Sequence, residues 1–173
     1  MVELWLIRHG ETAWSLSGAH TSRTDLPLTE QGRARAASLG EYLQGMAFAK
    51  VLVSPMSRAL ETCEIAGFGA QAEVDDGLRE WDYGDAEGKT TPQLRAEYND
   101  PAWGVWNREL INGEALRHVG QRADVVIGRA LAGTPDNGKW RYLLKRTFCV
   151  FSPHAGLGWR PTAERASPLE REA

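Results

Sequence analysis

The chain has 173 residues, a formal net charge of −3, and 42% hydrophobic against 25% charged residues, the profile of one globular domain with a sizeable core. That balance excludes a basic surface built for nucleic acid or an anionic membrane, so a site for an anion has to be a local basic pocket. Cys63 and Cys149 lack metal-ligand spacing and argue against a disulfide framework or a zinc site. There is no charged leader before an apolar run and no stretch of membrane-spanning length, so a cytoplasmic protein is expected.

Val2 to Ile7 is an apolar, β-prone run that predicts a first strand. It delivers Arg8, His9 and Gly10 to the strand end, where open α/β sheets place their ligands. Ser15 to Pro27 is rich in Ser, Gly, Thr and Asp and reads as a loop. Thr29 can cap a helix whose Ala36, Leu39, Leu43 and Met46 recur at helical spacing, with Gly45 near its end. Lys50 to Ser54 predicts a second strand, Ser57 to Ala66 a helix stopped by Gly67 and Gly69, and Glu73 to Leu78 a third strand. Thr91-Pro92 reads as a cap with proline at the first helical position, opening a short helix to about Tyr98.

From Gly113-Glu114 a longer helix follows, with Leu116, Val119, Ala123, Val126, Ile127 and Leu131 in one apolar stripe. Strands alternating with helices predict an α/β three-layer sandwich with a mostly parallel sheet. The pattern changes near Gly138. Lys139 to Phe151 is apolar in patches but interleaved with Lys145 and Arg146, and Pro153 to Ala173 has no clear period. The expected organisation is a domain over residues 1–138 and an atypical, partly disordered tail over 139–173.

The chemistry sits at the first strand end. An imidazole is a nucleophile at neutral pH, Arg8 can hold anionic oxygens, and Gly10 lets the backbone come close. Each residue also has a plainer reading when taken alone. His9 could be a hydrogen-bonded structural histidine, Arg58 a solvated helix charge, and Glu80 one surface carboxylate among Asp82, Asp85 and Glu87. His20 and His118 read as polar surface residues, and the tryptophans, Trp103, Trp106 and Trp140 among them, as core or substrate-loop packing.

Arg8-His9-Gly10-Glu11-Thr12 resembles the signature of the histidine phosphatase, or phosphoglycerate mutase-like, superfamily. Further blocks follow in the family's order: Thr24-Asp25-Leu26-Pro27-Leu28-Thr29 with Gly32, and Ser54-Pro55-Met56-Ser57-Arg58-Ala59 with Glu61-Thr62. Leu78-Arg79-Glu80-Trp81-Asp82-Tyr83-Gly84 with Glu87-Gly88, then Asn112-Gly113-Glu114 with Arg122, complete the set, and its details resemble the sugar-bisphosphatase-like branch. The resemblance implies that His9 attacks a phosphoryl group, that Arg8 and Arg58 neutralise its oxygens, and that Glu80 protonates the leaving oxygen.

It also implies substrate contacts from Ser15 and Thr21, although Ser15 replaces a common asparagine, Ser22 a common glycine and Ala115 a common serine. The implied partner is a small phosphorylated metabolite, with no cofactor or metal, and the family leaves room for a homo-oligomer. A phosphatase of small monoesters is favoured. The alternatives are a mutase, which conserves the phosphoester that a phosphatase hydrolyses, and a catalytically dead relic that binds phosphate esters.

The resemblance breaks after Gly138. It calls for a second histidine at the end of a central strand near residue 145, followed by glycine, and no such pattern is present. His154, after Phe148 to Pro153, is the nearest candidate, and Pro153 intrudes. Codons permitted for Arg146 to Gly158, read from each third base, can spell H-V-L-R-V-L-A-A-R-W-L-G-L, which resembles the family's last strand and helix. This implies one base lost near codon 138, in the gene or in its sequencing, and it predicts that the chain as it stands lacks a native-pattern central strand and its covering helix.

Overall fold

The computed structural model describes residues 2–131 and 140–146. Four strands, β1 (Val2–Arg8), β2 (Lys50–Val53), β3 (Ala72–Val74) and β4 (Trp140–Arg146), form one sheet in the order β1-β4-β2-β3. Every pairing is parallel. The helices among the described residues are α1 (Ala13–Ser17), α2 (Glu30–Leu43), α3 (Ser57–Ile65), α4 (Thr91–Glu97) and α5 (Leu116–Leu131). None is long and apolar enough to cross a membrane.

β4 corrects the expectation of a missing central strand. Its backbone sits between β1 and β2, with Val2 opposite Trp140, Arg8 opposite Arg146, and Val53 opposite Lys145. A central strand needs backbone donors and acceptors on both edges, which any proline-free run supplies, and the run includes the β-prone Trp140 and Tyr142. His154, Cys149 and the tail expected to be disordered lie outside the described residues.

Side chains alternate between the two faces of the sheet as its pleat requires. Ile7, Val51 and Val53 face one way and pack with Leu43, Phe48, Ala59, Cys63, Ala66 and Phe68, so α2 and α3 cover this face. Leu52 points the other way, into Leu78, Val126 and Ala130, which places α5 on the opposite face. These are the three layers. Cover is uneven on the α5 side: Leu52 and Leu6 share a row through Leu144, yet Leu52 is 3% exposed and Leu6 40%. A third cluster, Trp81, Tyr83, Ala86, Leu94, Trp103 and Val119, joins α4 and the start of α5 to the loops that follow β3.

Local chemistry explains where the elements depart from the pattern. The stretch read as a loop holds α1, because Thr12 and Ser15 form a reciprocal capping box at its start. β3 stops at Val74, since the Asp75 side chain accepts from the Gly77 N–H and folds Asp76–Leu78 into a 3-10 turn. The cap of α4 is Thr90, one residue earlier than read, because Gln93 completes a capping box with it. α5 begins at Leu116; of its stripe Val119 and Val126 are buried, and Ala130, outside the stripe, is buried with them.

Two glycines set how closely the end of β1 approaches α2. A Cβ on Gly10 would lie 2.5 Å from the Gly32 carbonyl oxygen, and one on Gly32 would run into the backbone of Glu11. No flexible side chain can yield there. Gly32→Ala should therefore lower stability in urea unfolding by about 1–3 kcal/mol, the usual cost of overpacking. A change of a few tenths would show that the two segments are free to part.

Candidate active site

His9 follows β1 and its ring is fixed by its neighbour. The Nδ1 atom lies 2.6 Å from the Gly10 carbonyl oxygen. A carbonyl can only accept, so Nδ1 carries the proton and the lone pair is on Nε2. Burial holds the imidazole down at a pKa of about 4; the Gly10 carbonyl opposes this, while the Arg58 and Arg8 guanidiniums add to it. The ring is neutral at pH 7 and its Nε2 is available as a nucleophile.

The Gly10 N–H donates to Thr62 Oγ1 at 3.0 Å, and that hydroxyl donates to the Arg58 carbonyl at 2.6 Å. Thr62 thus joins the end of β1 to α3. In the sequence Thr62 stands only as part of a motif; its spacing of four from Arg58 puts the two on one helix face, and that is the signal for its role. Arg8, His9, Gly10, Glu11, Ser15, Arg35 and Thr62 contribute to the wall of a cleft of about 400 Å³. Arg35, from α2, is a second guanidinium there that the sequence reading missed.

Arg58 is buried rather than solvated. Its two terminal nitrogens donate to the Thr24 carbonyl at 3.0 Å and the Ser22 carbonyl at 3.1 Å, and Asp25 lies 3.8 Å away. Its Nε is buried with no hydrogen-bond partner among the described residues. Burial lowers the guanidinium's pKa from its usual value, and Asp25, Glu80 and Glu87 push it back up. Leaving such a donor unmade costs about 1–3 kcal/mol, so its presence fits a site that accepts an anion.

The remaining predicted residues divide into two groups. Ser15 lines the cleft with His9, but its hydroxyl donates to the Thr12 carbonyl at 3.0 Å and accepts from the Thr12 N–H at 2.8 Å. Glu80 belongs to the surroundings of Arg58, and neither Thr21 nor Glu80 lines that cleft. Thr21 donates to the Ala19 carbonyl at 3.1 Å, one residue before Ser22. The Glu80 carboxylate accepts from the Trp81 N–H at 2.9 Å. Its backbone is held by Arg122, which donates to the carbonyls of Gly77, Arg79 and Glu80 while forking onto both Glu114 carboxylate oxygens at 2.9 Å.

His20 is not freely solvated. It is half-buried beside Tyr83 and Trp103, with ring centroids at 4.9 and 5.9 Å, and its Nε2 lies 3.3 Å from Thr91 Oγ1. His118 is exposed, as read from the sequence.

Comparison with known proteins agrees with this arrangement. The model of the histidine phosphatase superfamily (branch 1) matches residues 4–142. An acid phosphatase of Mycobacterium tuberculosis is 43% identical over 130 residues, covering 74% of this chain and 63% of that protein. The sedoheptulose 1,7-bisphosphatase of Saccharomyces cerevisiae is 33% identical over 145 residues, covering 72% and 54%. The chain therefore spans less than two thirds of either relative. A solved structure of an open-reading-frame product from Mycobacterium tuberculosis is 39% identical with a TM-score of 0.72, covering 82% of this chain and 71% of that one. With the motif order, the parallel sheet and the His9–Arg58 geometry, these matches show that the chain belongs to the histidine phosphatase superfamily.

Proposed function

We propose that the chain is a phosphomonoesterase for small phosphorylated metabolites such as sugar phosphates, working in the cytoplasm through a phosphohistidine on His9. The observation that carries this reading is the hydrogen bond from His9 Nδ1 to the Gly10 carbonyl, which leaves the lone pair on Nε2, in a ring whose charge is opposed by the Arg58 and Arg8 guanidiniums. Nε2 attacks phosphorus, the ester oxygen leaves, and Glu80 gives that oxygen a proton. Arg8 and Arg58 neutralise the equatorial oxygens throughout. Glu80, now ionised, takes a proton from water, and the resulting attack breaks the P–N bond and releases phosphate. Ser15 and Thr21 are the proposed substrate contacts. Arginines supply the positive charge that the reaction requires, so the mechanism invokes no cofactor.

A specific observation favours a second reading, phosphate-ester binding without turnover. β4 ends at Arg146 opposite Arg8 and contains no histidine, whereas the family resemblance calls for one at the end of that strand. A one-base loss in the gene near codon 138 belongs with this reading; an extra base found by sequencing the DNA across codons 136 to 150 would instead restore the other frame and favour the phosphatase.

The test is incubation with p-nitrophenyl phosphate and an alkaline quench, which preserves phosphohistidine for mass spectrometry. Release of p-nitrophenol with a phosphorylated His9 peptide supports the phosphatase. Absence of both, with an unfolding midpoint raised by phosphate or vanadate, overturns it in favour of binding alone. For an active enzyme, Glu80→Gln should slow alkyl phosphates at least tenfold more than p-nitrophenyl phosphate, whose leaving group needs no proton. Equal slowing of both would remove Glu80 from the acid role.

A further inference from the structure

Glu87 carries no assigned role, yet its carboxylate is one of the most heavily engaged groups near Arg58. It accepts from the Ser22 N–H at 2.9 and 3.0 Å, from the Ser22 hydroxyl at 2.6 Å and from the Thr24 N–H at 3.0 Å. The same two residues present their carbonyls to Arg58: Thr24 to one terminal nitrogen and Ser22 to the other. The segment 22–24 is therefore gripped through its N–H groups by a carboxylate and through its C=O groups by a guanidinium. Ser22 is buried, and its hydroxyl also accepts from the Tyr83 N–H at 3.4 Å. A glycine at that position would supply neither hydroxyl bond.

The consequence follows from the planarity of a guanidinium. Two terminal nitrogens held by two fixed carbonyls define the plane and leave one direction for the Nε–H. That Nε is the buried donor without a partner. We propose that Glu87 is a positioning residue: by fixing the Ser22 and Thr24 peptide groups it aims the Arg58 Nε–H at the oxyanion, and Ser22 tightens the latch. This rests on reading the Arg58 region as a phosphate site. It assigns Glu87 no contact with substrate, because its action passes through Arg58.

The experiment compares wild type, Glu87→Gln and Ser22→Gly by calorimetric titration with inorganic phosphate and by the NMR resonance of the Arg58 Nε–H, assigned by its loss in Arg58→Lys. Glu87→Gln swaps one acceptor oxygen for a donor facing N–H groups. It should weaken phosphate binding by about tenfold or more, the factor of one charge-assisted hydrogen bond, and shift the Arg58 Nε–H resonance before phosphate is added. In an Arg58→Lys background the same substitution should cost almost nothing further, since the two residues act as one unit.

A Glu87→Gln protein with a lower unfolding midpoint but unchanged phosphate affinity and resonance would overturn the proposal and leave the phosphatase reading standing. Failure of folded wild type to bind phosphate would overturn both. Should Glu87→Gln not fold, Ser22→Gly decides: it keeps both backbone donors, and a smaller shift in the same direction is expected. No shift in affinity or resonance would sink the latch.

Discussion

His9→Asn should abolish turnover of p-nitrophenyl phosphate, by about four orders of magnitude or more, since removing a nucleophile leaves only binding and electrostatic assistance. Asparagine keeps a polar side chain of similar size near the Gly10 carbonyl, so the loss is not a packing effect. Residual release at a tenth of the wild-type rate would move the nucleophile elsewhere. The same variant has a second signature. His9 has a pKa of about 4 in the folded chain against the usual 6.5. Between these values the unfolded chain binds a proton that the folded chain does not, so stability rises with pH across that window. The contribution is complete above pH 6.5 and is lost as pH falls towards 4. Its ceiling is about 3 kcal/mol at 1.4 kcal/mol per pKa unit, and partial solvent screening lowers it. His9→Asn should flatten that part of the urea-unfolding profile. Identical slopes in both proteins would assign the loss to carboxylates instead.

What could be read from the sequence tracks how local each cause is. Thr29 as the cap of α2 and Ser57 as the start of α3 were legible because capping and helical spacing act within a few residues. The resemblance assigned His9, Arg58 and Glu80 to one site because the family's motif order was recognisable. The one-residue error at Thr90 arose between two adjacent threonines, which only the Gln93 side chain tells apart. The truncated β3 came from a side chain, Asp75, turning the backbone. Glu87 stood only as part of a motif and its role was invisible, because its partners lie 63 and 65 residues away. His20 was misread for the same reason: its burial depends on Tyr83 and Trp103, brought to it by the fold.

β4 is the instructive failure. Its side-chain pattern departs from the family's, but pairing in a parallel sheet is a backbone property, and Trp140–Arg146 satisfies both neighbours. Position in a sheet survives changes that chemistry does not. A strand can thus sit in its place while the catalytic residue expected at its end is absent, which is why turnover and phosphate binding have to be measured separately.

Arg58→Met is the variant that separates them most sharply. Two effects on stability oppose one another. The substitution relieves the cost of burying a guanidinium, and it leaves the carbonyls of Ser22 and Thr24 without their donors. Each orphaned carbonyl costs about 1–3 kcal/mol, and methionine restores most of the packing volume, so a net loss of about 1–3 kcal/mol is expected and the protein should still fold. Anion affinity has no such compensation. The buried Nε–H and the positive charge vanish together, and with them one charge-assisted hydrogen bond and the main counterweight to Glu80 and Glu87. Phosphate binding should fall by about a hundredfold or more in calorimetric titration, and p-nitrophenyl phosphate hydrolysis with it. Arg58→Lys retains the charge but not the fork or the Nε–H, so it should keep near wild-type stability while losing much of the affinity. If Arg58→Met binds phosphate as wild type does, the anion sits with Arg8 and Arg35 in the cleft beside His9, and Arg58 serves only to hold the 22–24 segment.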